Sequence, residues 1–113
     1  MKTITRKMVV KAAMRRLKGV NKMQEIEVLA TQLLNLLHNQ RKVDSALATK
    51  LFYLIQANTP PLTYARNDAE GVISMSKSIE KYNGGIVDEA EVVNVGRLLK
   101  YILKNVREVT ARR

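Results

Sequence analysis

The sequence predicts an all-α fold, a compact single-domain bundle of four to five helices. Three observations carry this. Apolar residues recur at three- and four-residue spacings in every segment of the chain, which is the period of one helix face. Two long apolar runs, IEVLATQLLNLL (Ile26–Leu37) and ALATKLFYLI (Ala46–Ile55), are separated only by a short polar stretch. Residues suited to helix starts and stops stand at the ends of the periodic segments. The expected helices span roughly 4–18, 22–38, 45–57, 68–82 and 89–109, all within one domain over 1–113. A chain of 113 residues is of ordinary single-domain size.

Residues 1–18, MKTITRKMVVKAAMRRLK, hold seven basic groups and no acid. At 100° per residue, Val10, Ala13, Met14 and Leu17 share one arc. Lys7, Lys11, Arg15 and Lys18 form a separate cationic row, so the segment reads as an amphipathic helix with a narrow apolar stripe. Gly19 suits the position just past its end.

Asn21 and Gln24 have capping-box spacing for the next helix, and Glu25 and Glu27 suit the positive end of its dipole. Ile26, Ala30, Leu33 and Leu37 give it an apolar row that Leu29, Leu34 and Leu36 widen to more than half the circumference. Such a helix needs covering from two or more sides. The link Asn39–Val43 is short, so the helix that Asp44 or Ser45 starts should return antiparallel, with Leu47, Leu51, Leu54 and Ile55 inward.

Pro60 and Pro61 exclude a helix interior over Asn58–Tyr64, which reads as an ordered surface loop. Asn67 or Asp68 then starts a helix through Val72, Met75, Ile79 and Tyr82, stopped by Asn83, Gly84 and Gly85. Asp88 and Glu91 form a second capping-box pair. The last helix has an apolar row of Val92, Val95, Leu99, Ile102 and Val106, acids at its start and bases later, as its dipole favours. Gly96 interrupts it beside Val95 and Leu99, which predicts a close crossing by another helix.

Twenty Lys and Arg against ten Asp and Glu give a formal net charge of +10. That excess is costly in a compact state, and a polyanionic partner is the common reason to carry it. The candidate nucleic-acid-binding residues are Lys7, Lys11, Arg15 and Lys18 in the first helix and Arg97, Lys100, Lys104 and Arg107 in the last. The latter four sit at spacings of three, four and three, over about 15 Å of one helix side, where successive phosphates can meet them. Arg6, Arg16, Arg41, Lys42 and Arg66 are secondary candidates at the rim. Aromatic residues are few, which favours duplex DNA over a single strand, since single-strand binders present stacking platforms among their cations. No specific helix-turn-helix signature is present.

The expected function is therefore a small basic nucleic-acid-binding protein, regulatory or accessory, that contacts the phosphate backbone through its terminal helices. The alternative is a protein-interaction module, an adaptor or inhibitor whose basic face meets an acidic protein partner. A homodimer fits either, because the apolar Ile26–Leu37 run needs cover. The absence of Cys and the single His38 argue against a metal site or a disulfide framework. No nucleophile stands with a base and an orienting group, and no phosphate-cradling glycine pattern is present. No enzymatic activity and no cofactor are expected. No run reaches the ~18 apolar residues of a membrane span, nor does the N-terminus have the apolar region of a signal peptide, so the expected location is cytoplasmic.

Overall fold

The computed structural model describes residues 22–112, which form an all-α bundle of four helices. Helix α1 is Lys22–Gln40, α2 is Ser45–Gln56, α3 is Thr63–Asn83 and α4 is Glu89–Ala111. The expected helix over 4–18, with the Asn21 cap, lies outside the described residues. Each helix packs on its neighbours in sequence, and α1 closes the ring against α4. Short links force antiparallel neighbours, and cross-contacts agree. The end of α1 (Leu37, His38) lies beside Gly96 near the start of α4, while Glu27 near its start pairs with Arg107 near the end of α4.

The core is the sum of the four apolar faces. Ile26, Ala30, Leu33 and Leu37 of α1 meet Leu51 and Ile55 of α2, Val72 and Ile79 of α3, and Val95, Leu99, Ile102 and Val106 of α4, all buried. Truncating one such Leu or Ile to Ala typically costs about 2–5 kcal/mol, because the cavity left behind collapses only in part. Among the described residues the other three helices cover most of the apolar face of α1, while Val28 stays half exposed.

Two links meet at one end of the bundle. The Val43 N–H donates to the Gly85 carbonyl at 3.1 Å, and the Val87 N–H donates to that of Arg41 at 2.9 Å. Arg41 and Gly84 end α1 and α3 in left-handed conformations, φ 52° and 62°. Each donates its N–H four residues back, Arg41 to Leu37 and Gly84 to Glu80, which satisfies carbonyls the helix ends leave open. Gly84 takes this conformation freely; Arg41 carries a Cβ there at a cost.

Cap chemistry comes partly from where the sequence placed it. The Asp88 carboxylate accepts the Glu91 N–H at 2.8 Å, and Glu91 accepts the Asp88 N–H at 3.0 Å, the expected capping box. The Asp44 carboxylate accepts the Ala46 and Leu47 N–H groups. A second acid serves the same end: Glu80, from α3, accepts the Ser45 N–H at 2.8 Å and its hydroxyl at 2.6 Å. A carboxylate is favoured there by the open N–H groups and the positive dipole end.

Three expectations are corrected. Helix α3 starts at Thr63, not at Asn67 or Asp68. Its first turn needs no side-chain cap of its own because Asn105, on α4, accepts the Ala65 N–H at 2.9 Å, and Leu62 is buried beneath it. Tyr82 is exposed rather than on the inner face of α3, since the buried row runs Ala65, Ala69, Val72, Ser76, Ile79. Gly96 does lie opposite α1, yet a Cβ there would stand 3.5 Å from Leu37 Cδ2, an ordinary packing distance. The tight approach is at Gly71, where a Cβ would come to 3.0 Å of Leu98 Cδ1.

Candidate nucleic-acid interface

Helix α4 presents Arg97, Lys100, Lys104 and Arg107 along its solvent side because its apolar row, Val95, Leu99, Ile102 and Val106, is pinned against the core. All four cationic residues are exposed. They are not equivalent. The Arg107 guanidinium donates to Glu27 across the α1–α4 seam at 2.9 Å. That pair is open to water and contributes little to stability, but it spends one cation of the row on a carboxylate. Among the rim candidates, Arg41 pairs with Glu89 at 3.4 Å. Arg66 pairs with Glu70 at 3.6 Å and stands over the Phe52 ring. Lys7, Lys11, Arg15 and Lys18, with Arg6 and Arg16, lie outside the described residues.

The net charge is unevenly distributed along the chain. Residues 1–18 hold seven of the twenty basic residues and none of the ten acids, leaving thirteen bases against ten acids in the remainder. The bundle alone is close to neutral, and the excess sits ahead of it. Residues 1–21 join the bundle at Lys22, the end of α1 that Glu27 ties to Arg107.

Two shallow hollows flank the cationic row, with Tyr101 on the ridge between them. One is lined by His38, Val92, Val93, Gly96, Arg97 and Lys100 and contains no acid. The other lies between Tyr64 of α3 and Tyr101, with Asp68, Lys104, Asn105 and Glu108. Burial pushes the Asp68 carboxyl above its ordinary range, since the charged form loses water there. All four tyrosines are at least half exposed, Tyr64 by 77 % and Tyr101 by 50 %. The sequence places Tyr64 and Tyr101 near basic residues, as found; it puts Phe52 and Tyr53 in the apolar centre, where Phe52 does pack against the core but Tyr53 is exposed. The tyrosine positions were readable only in part, because Tyr64 falls at the start of a helix whose boundary the sequence misplaced.

A third hollow runs between α1 and α2, lined by Val28, Leu29 and Leu54 with Gln24, Glu25, Gln32 and Lys50 at its edges. Among the described residues no group of His, Asp and Glu is arranged to hold a metal ion, and no helix is long and apolar enough to cross a membrane. Comparison with protein families, curated proteins and solved structures finds no match to this chain.

Proposed function

We propose that the protein binds the phosphate backbone of a nucleic acid, as a small regulatory or accessory factor. The main contact is through the basic stretch 1–18, with Arg97, Lys100 and Lys104 of α4 as the adjoining surface. The observation that carries this reading is the segregation of charge: seven cations without an acid at one end of the sequence, beside a bundle that needs no such excess to fold. A charge that served solubility alone would have no reason to be concentrated in one stretch, whereas a basic arm is how a neutral domain gains affinity for a polyanion. Arg97, Lys100 and Lys104, which have no ion-pair partner among the described residues, add further exposed positive charge on α4.

Binding of this kind releases counterions and weakens steeply with salt. The log–log slope is about −0.7 per phosphate for a single strand and about −0.9 for a duplex, so four to six contacts predict a slope of roughly −2.8 to −5.4. Fluorescence anisotropy of a labelled oligonucleotide, single-stranded or annealed, tests this. Changing Lys100 and Lys104 together to Gln should flatten the slope by up to about two units, and Lys7, Lys11, Arg15 and Lys18 to Gln by up to about four. An unchanged slope in the first variant would remove α4 from the interface. No binding of either form at about 50 mM salt would overturn the reading.

One observation favours the alternative of a protein-interaction module. The α1–α2 hollow carries a half-exposed Val28 beside Leu29 and Leu54, apolar surface that an adaptor would use. Stoichiometric co-purification of an acidic protein, without nucleic acid, would support it.

A further inference from the structure

We propose that the hollow between Tyr64 and Tyr101 takes an unpaired base of a single-stranded nucleic acid, while Arg97, Lys100 and Lys104 hold the flanking phosphates. This rests on the nucleic-acid reading above and departs from the duplex that the aromatic count favours. Tyr64 and Tyr101, both exposed, line a hollow of about 280 Å³, one from each of two packed helices. That is at or just under the lower limit of ordinary small-ligand pockets, enough for a planar fragment and not for a whole cofactor. Exposed tyrosine faces beside cations are what unpaired bases stack on, whatever their sequence. A duplex keeps its base faces inside the stack and gains nothing from them.

The acids in this hollow decide which part of a strand enters it. Asp68 and Glu108 repel a phosphate there but accept hydrogen bonds from the amino groups of a base, and the Asn105 Oδ1 accepts the Ala65 N–H, which leaves its amide N–H groups to donate. On the far side of Tyr101 the second hollow has Arg97 and Lys100 and no acid, so a phosphate is accepted there. Base and backbone thus have separate, chemically matched places on one helix face. The spacing is right for a strand: Arg97 and Lys104 are seven residues apart, about 10 Å along the axis, and Tyr101 lies between them.

The test uses the full chain and a labelled strand of about 15 nucleotides, alone and annealed to its complement, at about 50 mM salt. The single strand should bind roughly ten-fold more tightly than the duplex. Tyr101→Leu, which keeps bulk but removes the ring, should weaken single-strand binding by about ten-fold and leave duplex binding unchanged, the loss expected for one stacked base. Tyr64→Leu should act in the same direction, and Lys100→Gln with Lys104→Gln should weaken both forms. Both tyrosines are exposed, and a thermal melt confirms that each variant is folded. Equal affinity for strand and duplex, or wild-type affinity in both tyrosine variants, overturns the base site while leaving backbone binding intact. Absence of binding to either probe overturns the site together with the reading it rests on.

Discussion

Replacing Gly96 with alanine should stabilise the protein. Glycine inside a helix is less favourable than alanine by about 1 kcal/mol, because the unfolded chain has more backbone freedom to lose. That gain is realised only if the added methyl has room. A Cβ at Gly96 would stand 3.5 Å from Leu37 Cδ2 and 3.8 Å from both Cε1 and Nε2 of His38, all within ordinary van der Waals contact. The methyl fills space against α1 without displacing it, and the site is buried, so its removal from water adds a few tenths of a kcal/mol. A gain of about 1 kcal/mol raises Tm by roughly 3–6 °C in a chain of this length. Gly71→Ala provides the control: its Cβ would come to 3.0 Å of Leu98 Cδ1, so part of the same gain is lost to moving that side chain. Thermal denaturation followed by circular dichroism at 222 nm measures both. A fall in Tm for Gly96→Ala would refute the packing argument for the α1–α4 seam, and a larger rise for Gly71→Ala would refute it for the α3–α4 contact at Leu98.

Ser76 has a buried hydroxyl without a hydrogen-bond partner among the described residues, so Ser76→Ala should raise stability by about 1 kcal/mol in urea unfolding; a loss of that size would reveal a partner. Glu80→Gln should cost about 1–2 kcal/mol, because the carboxylate that accepts both the Ser45 N–H and its hydroxyl loses its charge. An unchanged urea midpoint would show that Asp44 caps α2 alone. Burial raises the pKa of Asp68, so the folded state holds its proton more tightly than the unfolded one, and the wild type loses stability as pH rises through the ordinary carboxylate pKa to the raised one. Asp68→Asn should therefore be more stable than wild type at pH 7 and lose that advantage below the ordinary carboxylate range; an advantage that persists there would assign the effect to packing instead.

The sequence made three of the four described helices legible to within two residues at each end, because their apolar rows and caps agree. Ile26, Leu33 and Leu37 share a face by spacing, and Asp88 with Glu91 marks a start without tertiary help. Helix α3 was the exception. Its first turn, Thr63–Arg66, has no capping residue ahead of it, and two prolines stand close before it. What holds that turn is Asn105, forty residues away, and no local pattern encodes a bond of that separation. Ser45 with Glu80, and Arg107 with Glu27, are long-range in the same way. A sequence window reads propensity and period; it does not read which acid another helix will bring.

The cationic row on α4 was legible, because a row opposite a strong apolar row must face solvent. Its chemistry was not, since spacing gives no information on neighbours. Arg107 is turned toward Glu27, Lys104 shares a hollow with two carboxylates, and only Arg97 and Lys100 border a hollow free of acids. A uniform row of four cations would favour any polyanion equally. A row graded from acid-free to acid-flanked, with Tyr101 at the change, is the feature on which the proposed discrimination between a phosphate and the base next to it rests. Residues 1–18, which contain no acid, would on the same reading attract a polyanion without such discrimination. In the proposed reading the two parts divide the work: the basic stretch would set how strongly a polyanion is held and how steeply salt releases it, and the face of α4 would set which kind is held best.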